Sequence, residues 1–121
     1  MMAKDDYDVI VFKILLYFYG CLKHDIKFEQ VTFEKTVGMK DISEEYFTQI
    51  LRMMKAEGFI EGVSFTKAWG GEYIRISNLS NIMITPTGIH YLKENSTMQK
   101  IKNHIANGVD LVAKLVGIVK L

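Results

Sequence analysis

A chain of 121 residues is long enough for one domain and leaves little for a second. Hydrophobic residues make up 49% and charged residues 24%, a balance that suits a compact core and excludes a disordered chain. The 15 Lys+Arg and 14 Asp+Glu leave a net charge of +1, so composition alone does not mark a dedicated nucleic-acid binder.

The lone cysteine, Cys21, permits no internal disulfide and suits a reducing, cytoplasmic compartment. The start, Met1 to Asp8, is polar and acidic, unlike a secretory leader. The longest apolar stretch, Val9 to Leu22, is interrupted by Lys13 and falls short of the roughly 20 helical residues that cross a bilayer. No membrane association is expected.

In chain order, the first element reads as a largely buried helix from about Asp6 to Lys23. Its apolar residues (Val9, Ile10, Phe12, Ile14, Leu15, Leu16, Phe18, Leu22) wrap beyond a single stripe. A short helix follows within Val31 to Val37, ended by Gly38. Ser43 then caps a third helix, with Glu44 and Glu45 in its first turn. Phe47, Ile50, Leu51 and Met54 share one face of that helix, which stops at Gly58.

The period then changes. Phe59 to Thr66 reads as a strand, Trp69-Gly70-Gly71 as a tight turn, and Tyr73 to Ser77 and Ile82 to Thr85 as further strands. Thr85 caps and Pro86 opens a helix running to about Asn95. The segment from Thr97 to Leu121 reads as one amphipathic helix, weakened by Gly108 and Gly117 by roughly 1 kcal/mol each. Helix, short helix, helix, strand, turn, strand, helix is the order of an α+β winged helix-turn-helix: a three-helix core plus a β-hairpin wing, here with a C-terminal helical extension. The expected division is a winged-helix domain over 1–95 and the C-terminal helix over 96–121.

The stretches Asp5 to Leu15, Thr66-Lys67-Ala68-Trp69-Gly70-Gly71, Ile84-Thr85-Pro86-Thr87-Gly88-Ile89 and Tyr91-Leu92-Lys93-Glu94-Asn95-Ser96 resemble the YjcQ-like family. That family comprises small winged-helix proteins of Gram-positive bacteria and their prophages. The resemblance covers about residues 5 to 98 and implies the fold. It carries no activity and no functional residues onto this chain.

Enzymatic chemistry finds no support in the residues. His24, His90 and His104 share no metal-ligand spacing with each other or with Cys21, so neither a metal nor a cofactor is expected. His90 reads as a partly buried structural residue and Cys21 as a small core residue. The Glu44–Glu45 pair belongs to a helix start, and Gly70-Gly71 is too short to cradle a phosphate.

A winged helix places its third helix in the major groove and its wing against the backbone or minor groove. The face opposite the apolar stripe offers Thr48, Gln49, Arg52 and Lys55; glutamine pairs with adenine and arginine with guanine. Lys67 and Arg75 lie in or beside the wing, within reach of phosphates. The plainer reading is a solvated helix face and hairpin. Residues 1–95 hold 11 basic and 13 acidic side chains, a net of −2, whereas 96–121 hold four lysines and one aspartate, a net of +3. Binding by one copy is therefore expected to be weak and salt-sensitive.

Trp69 is expected to fold back over the hairpin and fill the core edge; the other reading is an exposed anchor for a partner. Ile105, Val112, Leu115 and Val119 in the last helix are the expected homodimer face, with packing on the first helix or lying on an anionic membrane as the other possibilities. The sequence thus leads to a non-enzymatic, prophage-associated transcriptional regulator that binds DNA as a homodimer. A protein-interaction module that never touches nucleic acid is the other class.

Overall fold

The computed structural model describes residues 7–96 and 110–120. Its element order is α1 (Tyr7–Leu22), α2 (Gln30–Val37), α3 (Glu44–Ala56), β1 (Ile60–Glu61), β2 (Phe65–Lys67), β3 (Tyr73–Arg75), β4 (Met83–Ile84), α4 (Pro86–Glu94) and α5 (Asp110–Val119). Single 3-10 turns occupy Met39–Asp41 and Leu79–Asn81.

α1 is the central post. Every residue from Val9 to Phe18 is buried, Lys13 included. A helix that is apolar all round must be covered all round, and α2, α3, α4, α5 and β4 supply the cover. One end of this core is an aromatic cluster. Tyr17 meets Phe33 edge-on at 5.3 Å and Phe28 edge-on at 5.8 Å. Phe33 in turn meets Phe47 of α3 at 6.3 Å. These offset and edge-to-face arrangements are the favoured ones for aromatic rings.

The helix-turn-helix unit forms where its local signals lie. Gly38, at φ +79°, closes α2 through its N–H to the Glu34 carbonyl at 3.0 Å. Ser43 Oγ accepts from the Tyr46 N–H at 3.1 Å and opens α3. α3 turns Phe47, Ile50, Leu51 and Met54 into the core, as their spacing predicts.

The predicted strand from Phe59 to Thr66 is broken in two. Gly62 sits at φ +81°, and a Cβ there would lie 2.1 Å from the Asn81 carbonyl oxygen. The chain bends at this contact. β1 thus pairs antiparallel with β4 (Ile60 opposite Ile84), while β2 pairs antiparallel with β3 as a separate hairpin.

α4 begins as the sequence predicts, with Pro86 at its start and Thr85 Oγ1 accepting from the Gly88 N–H at 3.1 Å. The Thr85 hydroxyl also donates to the Gly58 carbonyl, and the Thr85 N–H donates to the Phe59 carbonyl at 3.0 Å. Gly88 lies so close to that segment that a Cβ would fall 2.3 Å from the Phe59 oxygen. The Thr-x-x-Gly motif is therefore a clamp that lays α4 on the end of α3.

The expected single helix from Thr97 to Leu121 is described from Asp110 onward; residues 97–109, and Ile105 with them, lie outside the described residues. α5 packs along α1 and touches α2. Val112 and Val119 are fully buried and Leu115 nearly so. The Lys23 ammonium donates to the Val119 carbonyl at 2.6 Å, a cation at the negative end of a helix. This overturns the expected dimer face: Val112, Leu115 and Val119 are buried against their own chain. The reason is that α1 is apolar on every side and needs this last cover.

Candidate nucleic-acid interface

The hairpin register decides which side chains meet α3. Phe65 stands opposite Arg75, Thr66 opposite Ile74, and Lys67 opposite Tyr73. Opposed residues share a face and successive ones alternate. Phe65, Lys67, Tyr73 and Arg75 therefore occupy one face, and Thr66 with Ile74 the other.

α3 lies against this hairpin, chiefly along β3. The Arg52 guanidinium sits 3.5 Å above the centre of the Tyr73 ring. The Lys67 ammonium lies 5.7 Å from the same ring, and the Lys55 ammonium 6.0 Å from the Phe65 ring. Such cation–π contacts are worth about 0.5–1 kcal/mol each at exposed sites. Here they also fix position: Arg52 donates from Nη1 to Gln49 Oε1 at 2.9 Å, so two predicted base-reading side chains are tied together. Arg75 donates from Nη1 to the Ser77 carbonyl. A guanidinium has five N–H donors, so both arginines keep donors for a further acceptor.

The structure thus brings Gln49, Arg52, Lys55, Lys67 and Arg75 to the α3–hairpin seam. Thr48 is withdrawn from the predicted set: it is only 5% exposed, turned inward beside the core stripe. The reason is the hairpin, which covers the side of α3 that a helical wheel leaves open. Thr48 lines a cleft of about 170 Å³ between the start of α3 and β3, together with Glu44, Glu45, Glu72 and Arg75. Three carboxylates and one guanidinium line it. The seam is therefore polarised, acidic at the start of α3 and cationic toward its end and the wing.

Trp69 overturns its expected place. It is fully exposed, at 102% relative accessibility. The turn that carries it is closed by the Gly71 N–H donating to the Ala68 carbonyl at 3.1 Å, with Gly70 and Gly71 at φ +90° and +84°. This geometry leaves the indole projecting from the wing tip. His90, expected to be partly buried, is exposed. Cys21 is half-buried and packs against the core, and burial pushes its thiol up to about 11.

Tyr73 and Phe65, the rings that organise the cations, were not singled out by their spacing. The alternation Tyr73-Ile74-Arg75 was the one available signal, and it does not say which face meets a helix. Among the described residues, no group of three or more His, Cys, Asp or Glu side chains is placed to hold a metal. No helix among them is long and apolar enough to cross a membrane.

Helix-turn-helix, hairpin wing and flanking helices define an α+β protein of winged-helix arrangement. Within that class the chain belongs to the YjcQ family, described as YjcQ protein, which it matches over residues 12–108. No curated protein and no solved structure matches it.

Proposed function

We propose that this chain is a non-enzymatic, cytoplasmic DNA-binding regulator that meets the duplex with the end of α3 and the wing. The observation that carries the reading is the convergence of Arg52, Lys55 and Lys67 on the Tyr73 and Phe65 rings of one seam, with Arg75 opposite Phe65 in the hairpin. A lysine or arginine held against a ring loses less side-chain freedom when it meets a phosphate. Glu44 and Glu45 keep the start of α3 away from the phosphates, so the contact is led by the wing. Val112, Leu115 and Val119 are not offered as a homodimer face, because they cover α1.

Four cations releasing counterions correspond to a slope of about −3 to −4 in log K against log salt. Retention of random duplex DNA, measured in a salt series starting at about 50 mM, tests the reading. Arg52→Ala should cost about 1–3 kcal/mol, and Lys67→Ala should flatten the slope by about one. Absence of binding at high micromolar protein and low salt refutes it.

A second reading, a protein-interaction module, is favoured by the fully exposed Trp69 and by the carboxylates of Glu44, Glu45 and Glu72. It predicts no duplex binding at any salt, together with a defined protein partner whose retention is lost in Trp69→Ala.

A further inference from the structure

Beside the end of α3, a cavity of about 370 Å³ opens between the start of α1, the end of α3 and α4. We propose that it binds an alkylammonium group. Its walls are aromatic and its charged groups are all carboxylates: Tyr7 and Asp8 come from α1, Met53 from α3, Glu57 and Phe59 from the turn after it and Tyr91 from α4.

The site is built by the α4 clamp. Gly88 and Thr85 hold α4 on the Gly58–Phe59 backbone, and Tyr91, one turn beyond Gly88, lands beside the Phe59 ring. The two ring centres are 4.7 Å apart and inclined by 37°, so they form one angled wall. The Tyr91 hydroxyl donates to Asp8 Oδ1 at 3.1 Å, which orients that carboxylate.

The field in the cavity is negative. Burial, and then the charges of Glu57 and Asp8, hold the Tyr7 phenol above its ordinary range. Burial, and then the Asp8 charge and hydrogen bond, do the same to Tyr91. Asp8 and Glu57 form no ion pair among the described residues.

Ring faces combined with carboxylates select organic cations. Ring faces attract an ammonium through their quadrupole, and the methylenes next to it fit against Met53 and Phe59. A divalent metal ion would need more oxygen ligands than two carboxylates supply. A compact, strongly hydrated sodium ion would gain little from the rings. The chemistry is that of a lysine side chain or a free polyamine.

The probes are n-butylammonium chloride and sodium chloride at matched ionic strength, followed by amide chemical shifts in the intact chain. Butylammonium should give saturable shifts at Asp8, Met53, Glu57 and Tyr91 that sodium does not give. Glu57→Gln should weaken this binding by about threefold to fivefold, the scale of one exposed ion pair. Tyr7→Leu should weaken it comparably while leaving the urea midpoint within error of wild type. A second arm compares spermidine with a blocked lysine peptide. Tighter spermidine binding assigns the site to a polyamine, and tighter peptide binding assigns it to a protein lysine. Equal shifts from sodium and butylammonium overturn the proposal, as does undiminished binding in both Glu57→Gln and Tyr7→Leu. Loss of DNA binding in Arg52→Ala leaves these outcomes untouched, so the two readings fail separately.

Discussion

Replacing Val112 by alanine tests whether α5 belongs to its own core. The side chain is fully buried against the rest of the chain. Val112→Ala deletes two buried carbons, worth about 0.8 kcal/mol each in transfer free energy. The space left behind adds roughly 1 kcal/mol, because a helix docked along its length collapses incompletely into a small void. The expected loss is about 2–3 kcal/mol. Against a typical total of about 5–15 kcal/mol, the variant should still fold. Its thermal midpoint should fall by roughly 10 °C for a chain of this size. Urea unfolding followed by circular dichroism at two protein concentrations tenfold apart is the assay. The wild-type midpoint should be the same at both, since the buried face of α5 is satisfied within one copy. A loss below about 0.5 kcal/mol would refute the docking. So would a wild-type midpoint that rises with concentration, because the apolar face of α5 would then be shared between copies.

Gly88→Ala places a Cβ 2.3 Å from the Phe59 oxygen, so it should cost more than about 2 kcal/mol, read as a drop in the urea midpoint; a neutral effect contradicts the clamp. Thr85→Ala removes the cap of α4 and the bond to Gly58, with an expected loss of about 1–2 kcal/mol by the same measurement. The Cys21 thiol, raised by burial from 9.0 to about 11, should alkylate more slowly at pH 8 in the folded chain than in urea. The sign follows from linkage: the unfolded thiol ionises first, so its contribution to stability is complete below pH 9.0 and is lost as pH rises toward 11. Equal alkylation rates in the folded and unfolded chains would contradict that burial. Trp69→Ala, at a fully exposed wing tip, should change stability by less than about 0.5 kcal/mol; a larger loss would mean that the indole packs after all.

Legibility in the sequence tracked the range of the interaction. Ser43, Gly38, Thr85 and Pro86 act on backbone groups within a few residues, and the three helix ends they mark lie where their chemistry places them. The apolar stripe of α3 was equally plain, since Phe47, Ile50, Leu51 and Met54 need only a helical period to share a face. A helical wheel turns Thr48 outward because it shows one element alone, whereas the hairpin that covers Thr48 arrives from beyond it. The strand from Phe59 to Thr66 looks continuous for the same reason: its bend at Gly62 is set by the Asn81 carbonyl across the fold.

By its own pattern, the sequence determined the α+β element order, the helix caps, the central apolar helix and the α3 core stripe. Tertiary structure alone decided that α5 covers α1 rather than a second copy, and that Trp69 projects outward. It also decided that Arg52 and Lys67 meet at Tyr73, and that Tyr7, Phe59 and Tyr91 enclose one cavity. The physical reason is that local signals act through hydrogen bonds a turn away, whereas these placements depend on which surfaces compete for the same apolar cover.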